Sequence, residues 1–171
     1  VPMNTVEMRT HLLKLAEAEH LYAELVQALP ESELRATSEQ LAACDPADRD
    51  GIMVAYLHCL ADTATRKAGQ VPASDTARML CTHCGPVWIH PSIAAVLPVV
   101  SGWPRALGCP WCHVKPRSGL AIPRPAVTCA DCRHYQPDKI NPAAGCGRCQ
   151  IDMPMKRGGY PGLDRYCKAF N

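Results

Sequence analysis

The chain has 171 residues, 47% of them hydrophobic but only 5% aromatic, and 11 are cysteines. Because so few aromatic residues are available for a core, we expect metal to supplement the packing of small domains. Residues 1–80 carry seven Lys/Arg against twelve Asp/Glu, whereas residues 81–171 carry eleven against four, so an acidic and a basic part are predicted. With no apolar run of membrane-spanning length and no secretory signal in the first 35 residues, we expect no membrane partner and a cytoplasmic location.

Residues 1–69 are predicted to form an α-helical domain, a small helical bundle. Apolar residues recur there at three- and four-residue steps, which indicates amphipathic helices. Pro30 ends the first helix, and Asp45 followed by Pro46 is a start signal for the third. The three expected helices cover residues 4–29, 31–43 and 45–67.

Residues 70–80 form a predicted linker, and the cysteine-rich part follows it. Two residues between cysteines allow both thiolates to face one point, as in half of a tetrahedral zinc site. Four such pairs occur, and a lone Cys167 follows them: Cys81 with Cys84, Cys109 with Cys112, Cys129 with Cys132, and Cys146 with Cys149. In a reducing cytoplasm such an array predicts metal sites, and we expect two structural Zn²⁺ ions.

Residues 81–113 are the first predicted zinc module, similar to a zinc ribbon or treble clef with short β-hairpins. Its ligands are predicted to be Cys81, Cys84, Cys109 and Cys112, with 24 residues between the two pairs. His83 or His113 is the alternative fourth ligand. The Cys109-Pro-Trp-Cys112 sequence also resembles a redox motif, but no alternating β/α pattern surrounds it.

A Pro-rich basic connector, residues 114–128, precedes the second predicted zinc module, residues 129–171. Five cysteines compete there for four places. Spacing alone leaves two solutions open, because Cys129, Cys132 and Cys149 can be completed by either Cys146 or Cys167.

The second module resembles a short cysteine-rich tail found at the C-termini of accessory proteins of proteobacterial plasmids, integrative conjugative elements and phages. The matching residues are a Cys-x-x-Cys pair at Cys129, Asn141-Pro142, a Gly-x-Gly-x-Cys run ending at Cys149, and Cys167-Lys-Ala-Phe170. The resemblance covers about half of the chain together with a ribbon-like segment before it. It implies Cys129, Cys132, Cys149 and Cys167 as the zinc ligands, and a mobile genetic element as the setting.

The favoured function is nucleic-acid binding, with DNA preferred, by a protein that is not an enzyme. Two closed four-thiolate sites leave no coordination position for catalysis, and no nucleophile–base pattern, phosphate loop or dinucleotide turn is present. Basic residues interleaved with aromatic ones are suited to phosphates and exposed bases. The candidate nucleic-acid contacts are Arg117, Arg124, Lys156, Arg157 and Tyr160.

A protein-interaction adaptor or inhibitor is the alternative function. In that case the zinc ions are purely structural, and the acidic helices at residues 4–67 bind a protein partner through their apolar faces. No small-molecule substrate is expected in either case.

Overall fold

The computed structural model describes residues 1–143, 146–151 and 160–171. They divide into two compact units, Val1–Thr65 and Arg66–Asn171. The expected combination of N-terminal helices, small sheets and a cysteine cluster is confirmed. Across the described ranges, no helix combines the length and apolar character that crossing a bilayer requires.

The first unit is helical. Asn4 caps the first helix through a capping box, in which its side chain accepts from the Glu7 N–H at 2.9 Å and its own N–H donates to the Glu7 carboxylate. Asp45 accepts from the Ala47 N–H at 2.9 Å and starts a short 3₁₀ turn, Pro46–Asp48, that leads into the last helix. The helices are α1 (Thr5–Ala18), α2 (Ala23–Gln27), α3 (Glu31–Ala42) and α4 (Arg49–Lys67).

The expected single helix over residues 4–29 is wrong, because α1 ends at Ala18. His20 adopts a positive φ of 54°, its N–H bonds the Glu17 carbonyl, and the Leu21 N–H reaches back to the Ala16 carbonyl at 2.8 Å. These two bonds form a Schellman motif, which terminates a helix. The break is difficult to find in the sequence because histidine occupies the position that glycine usually takes.

The helices of the first unit enclose one apolar core. Its members come from all four helices and from the turn after α2, at the positions that the three- and four-residue spacing predicts. The Arg9 guanidinium closes α2 by donating to the carbonyls of Val26, Gln27 and Leu29 at 2.5–3.1 Å. The buried side chains are Met8, Leu12, Ala16, Val26, Leu29, Leu34, Leu41, Met53 and Leu57.

The second unit contains a sheet of four strands, which are β1 (Ala77–Cys81), β2 (Gly85–Ile89), β3 (Val99–Val100) and β4 (Trp103–Ala106). Their order in the sheet is β2-β1-β4-β3. The β1 and β2 strands form an antiparallel hairpin, β4 pairs with β1 in parallel, and β3 pairs with β4 in antiparallel fashion. A short helix, α5 (Pro91–Val96), connects β2 to β3. The β1 strand begins inside the segment expected to be a linker.

Beyond β4, the described residues of the second unit form little regular structure. A four-residue helix, α6 (Pro110–His113), follows the sheet, and a 3₁₀ turn covers Cys129–Asp131. A two-residue ribbon pairs β5 (Tyr135–Gln136) with β6 (Arg148–Cys149). An isolated bridge joins Val127 to Arg165 through two hydrogen bonds of 2.8 Å.

Two apolar clusters stabilise the described part of the second unit. The first consists of buried residues of the sheet together with Cys109 and Trp111 of the segment that follows it: Met79, Cys81, Val87, Ile89, Cys109 and Trp111. In the second, Leu80 and Trp103 of the sheet pack against Val127 and Phe170, and the rings of Trp103 and Phe170 lie 5.1 Å apart. The C-terminal residues are therefore part of the core of this unit.

Candidate metal centre

The β1–β2 hairpin places the first two cysteines. Cys81 is the last residue of β1, and it lies opposite Gly85, the first residue of β2, so Cys84 is held in the turn between them. The Cys84 N–H lies 3.5 Å from the Cys81 sulfur, which is the N–H···S contact that supports a thiolate in a metal knuckle. Gly85 has a φ of 75°, in the region that glycine adopts without strain.

The parallel pairing of β4 with β1 brings in the other two cysteines. Because Cys81 lies beside Ala106, the chain beyond β4 passes the same point, where Cys109 and α6 follow. Trp111 is 1% exposed and donates its indole N–H to the Trp88 carbonyl at 3.2 Å, which fixes α6 on the hairpin. The Trp111 side chain is therefore part of the core and cannot stack on exposed bases.

The four sulfur atoms are spaced as a metal centre requires. The Cys112 sulfur lies 3.5 Å from that of Cys81, 3.5 Å from that of Cys84 and 3.7 Å from that of Cys109. Four sulfurs at the Zn–S distance of about 2.3 Å in a tetrahedron are about 3.8 Å apart, whereas a disulfide needs about 2.0 Å. The four cysteines are free thiols, and all their sulfurs lie within 4.8 Å of one another.

The proton affinities of these thiols reflect the same packing. Burial, assisted by the neighbouring sulfurs, raises the pKa of Cys84 to about 11 and that of Cys109 well above its ordinary value. Burial also opposes ionisation of Cys112, but hydrogen bonds from the Cys109 backbone and from three thiols outweigh it and lower the pKa. The surroundings of Cys112 thus favour its ionised form.

This donor set fits zinc. Sulfur ligands at tetrahedral separations are characteristic of structural Zn²⁺ sites, and four thiolates fill the coordination sphere. Within the described part of the chain, Cys81, Cys84, Cys109 and Cys112 are the one group of three or more potential ligands drawn this closely together. His83 and His113 are exposed and do not belong to that group.

The second set of cysteines lines one cavity but does not form a close group of sulfur atoms as the first set does. Cys129, Cys132, Cys149 and Cys167 line the same cavity of about 880 Å³. The β5–β6 ribbon brings Cys149 opposite Tyr135, and the Val127–Arg165 bridge joins the segments that carry Cys129 and Cys167. Burial raises the pKa of Cys129, and the other three cysteines raise it further. The positive charge of Arg165 acts in the opposite direction and lowers it.

Cys146 differs from these four. It is exposed and does not line the cavity, whereas Cys167 does. Gly147, beside it, is closely confined: a Cβ there would lie 2.1 Å from the Gln136 carbonyl oxygen, and its N–H donates to the Tyr135 hydroxyl at 3.1 Å. Glycine is therefore required at position 147 for the ribbon to form.

The candidate nucleic-acid residues have different surroundings. Arg117 and Tyr160 are exposed, whereas Arg124 is half-buried and donates to the carbonyls of Cys84 and Pro86. Lys156 and Arg157 lie outside the described residues. The contact between Arg124 and the first knuckle could not be read from the sequence, because 40 residues separate Arg124 from Cys84.

No family model, curated protein or solved structure matches this chain. The resemblance of its second half to cysteine-rich tail modules therefore rests on the motif residues themselves. Among those residues, the structure places Cys129, Cys132, Cys149 and Cys167 around one cavity.

Proposed function

We propose that this chain is a non-enzymatic zinc protein that binds nucleic acid, DNA in particular, as an accessory factor of a mobile genetic element such as a plasmid. Two structural Zn²⁺ ions hold its basic part in shape. The observation that carries the nucleic-acid role is the position of exposed basic side chains beside the cysteines of both sets. The tail-module resemblance supports the mobile-element setting.

In this proposal the first Zn²⁺ is bound by Cys81, Cys84, Cys109 and Cys112 in a ribbon-like module, residues 81–113. Their sulfur separations of 3.5–3.7 Å to Cys112 support a closed tetrahedral site. A closed site has no position for a reacting water, which supports a structural rather than a catalytic role.

The second Zn²⁺ is bound by Cys129, Cys132, Cys149 and Cys167 in the module of residues 129–171. The shared cavity supports this set, and the exposure of Cys146 argues against the alternative. We expect two zinc ions per chain for the wild type and for Cys146→Ser, but one for Cys167→Ser. Equal loss of zinc from both variants would contradict the assignment; metal analysis of the purified proteins decides it.

Eight basic side chains in the described part of the second unit are exposed, and four of them adjoin predicted ligands. Lys115 follows Cys112 by three residues, and the other three are directly next to a cysteine in the chain. Zinc binding therefore holds these charges in fixed positions, as a surface that tracks phosphates requires. The eight residues are Lys67, Arg78, Lys115, Arg117, Arg133, Lys139, Arg148 and Lys168.

Three arginines between residues 81 and 171 that are not in this exposed set donate hydrogen bonds within the unit. Arg105 donates to the Asn171 side chain, Arg165 to the Tyr160 carbonyl, and Arg124 to the carbonyls near the first knuckle. The proposed interface therefore depends on the exposed residues, including Arg117 and Tyr160. Lys156 and Arg157 remain part of the proposal on sequence grounds.

The test is binding of the zinc-loaded full chain to labelled single-stranded and duplex DNA over a salt series. Contacts with phosphates make the logarithm of affinity fall linearly with the logarithm of salt concentration. The double variant Lys115→Gln/Arg117→Gln should lower that slope by about 2 and weaken all sequences alike. Lys14→Gln, an exposed change in the acidic unit, is the control and should leave the slope unchanged.

Absence of binding at low salt would contradict the nucleic-acid role and favour the adaptor. One observation supports that second candidate: Val6 is 73% exposed, Tyr22 55% and Ile52 42% on the helical unit. Such side chains are available to a protein partner. An apolar interface of this kind responds little to salt, so the same titration with a captured partner would separate the two functions.

A further inference from the structure

The last residues of the chain pack directly on the first cysteine knuckle. A Cβ placed on Gly85 would lie 2.2 Å from the carbonyl oxygen of Lys168, so the two backbones are in contact. The Asn171 side chain accepts a hydrogen bond of 2.8 Å from Arg105 of β4. Phe170 packs on Trp103, at the start of the same strand. The segment 167–171 thus contacts β2, which begins directly after Cys84, and β4, which leads to Cys109.

Arg124 contacts the same knuckle from the connector. Its Nη1 donates to the carbonyl of Cys84 and, at 3.1 Å, to that of Pro86. Burial lowers the pKa of its guanidinium, and the thiolate charges of Cys84, Cys167 and Cys109 act in the opposite direction. A Cβ placed on Gly85 would lie 3.3 Å from this Nη1 and 2.2 Å from the Lys168 carbonyl oxygen, so the guanidinium lies beside the first knuckle and beside the residue that follows Cys167.

We propose that Arg124 and the segment 167–171 couple the two cysteine sets, so that zinc at the second set strengthens zinc binding at the first. The inference rests on the two-zinc arrangement proposed above. Zinc bound by Cys167 would fix the segment 167–171, and that segment holds Gly85 and β4 in place. Part of the first site is then already ordered, so zinc binding there costs less conformational entropy.

Charge gives Arg124 its own part in this coupling. A divalent ion surrounded by four thiolates has an excess of negative charge, and two such sites in one unit repel each other. A guanidinium beside both the first knuckle and Lys168, fixed by two backbone carbonyls, reduces that repulsion. Arg124 is thus a positioning residue rather than a metal ligand.

Alkylation of individual cysteines in the full chain, resolved by peptide mass spectrometry at buffered free-zinc concentrations, measures the occupancy of each site separately. With the second site disabled by Cys132→Ser, the zinc concentration that half-protects Cys81 and Cys109 should rise by at least about 5-fold, the lower end of typical coupling. Cys149→Ser disables the same site from another element and should give the same shift.

The zinc concentration that half-protects the first site differs between chains with an intact and a disabled second site. Arg124→Gln should remove most of that difference. Arg117→Gln is the matched control, because this exposed arginine on the same connector should leave the coupling unchanged. Arg124→Lys should restore part of it, since lysine keeps the charge but cannot reproduce the planar fork. A residue that only fills space would show no such rescue.

The outcomes separate the two proposals. If zinc never protects Cys129, Cys149 or Cys167, the second zinc site and the coupling are both wrong. Both sets could be protected while Cys132→Ser and Cys149→Ser leave the zinc concentration that half-protects the first set unchanged. In that case the coupling alone is wrong. A coupling that persists in Arg124→Gln would overturn the role of Arg124.

Discussion

The two units of this protein are stabilised in different ways. The core of the helical unit consists of nine buried apolar side chains, none of which is a candidate metal ligand. In the second unit, the cluster around the sheet has six buried members, and two of them are the candidate ligands Cys81 and Cys109. A helical unit of this kind folds on side-chain packing, whereas the sheet brings together thiols that the proposed zinc ion would hold in place.

Zinc removal should have the largest effect, because it should destabilise the second unit and leave the helical unit folded. Structural zinc contributes about 10–16 kcal/mol of apparent binding free energy, as much as the whole stability of an ordinary domain. After chelation under reducing conditions, the amides of β1, β2 and β4 should lose protection in hydrogen-exchange mass spectrometry, while those of α1 and α4 before Thr65 keep theirs. Retained protection of the strands would contradict the difference between the units.

Within the second unit, Gly85→Ala should weaken the first zinc site more than any comparable glycine change. Gly85 and Gly102 have φ values of 75° and 76°, so an added Cβ strains both by about 1–2 kcal/mol. Only at Gly85 would that Cβ meet a backbone oxygen, at 2.2 Å, whereas nothing lies within 4 Å of it at Gly102. We expect zinc release to a chelator to be at least about tenfold faster for Gly85→Ala than for the control Gly102→Ala; equal rates would show that the contact with Lys168 is unimportant.

The stability of the helical unit should depend on its helix caps rather than on metal binding. His20→Gly should stabilise it by up to about 1 kcal/mol, because glycine adopts the positive φ of that position more easily. His58→Gly, an exposed change inside α4, should destabilise it by about 1 kcal/mol and serves as the matched control. Chemical denaturation followed by helical circular dichroism measures both, and a loss of stability in His20→Gly would contradict the Schellman assignment.

Much of the helical unit and the first metal site could be predicted from the sequence, because their signals are local. The periodicity of residues 31–43 and 45–67 and the cap at Asp45 lead directly to α3 and α4. Likewise, the two residues between Cys81 and Cys84 are sufficient to form a knuckle. What local signals missed is the break at His20, where histidine replaces the expected glycine.

The remaining features depend on contacts between distant residues. The parallel pairing of β1 with β4 joins Cys81 to Ala106, whereas the part of the expected linker that becomes a strand pairs with β2. Arg124 was predicted to contact nucleic acid, and its bonds to the first knuckle depend on how the connector folds back. A basic residue in a Pro-rich segment looks the same in the sequence whether its partner is a phosphate or a buried carbonyl.

X-ray absorption at the zinc edge, combined with metal analysis of the purified full chain, tests the central claim most directly. Two closed four-thiolate sites predict two zinc ions per chain and an average of four sulfur neighbours at about 2.3 Å, with no nitrogen or oxygen ligand. Cys167→Ser should retain one ion with the same four-sulfur shell. A single zinc in the wild type, or a shell containing nitrogen or oxygen, would contradict this account.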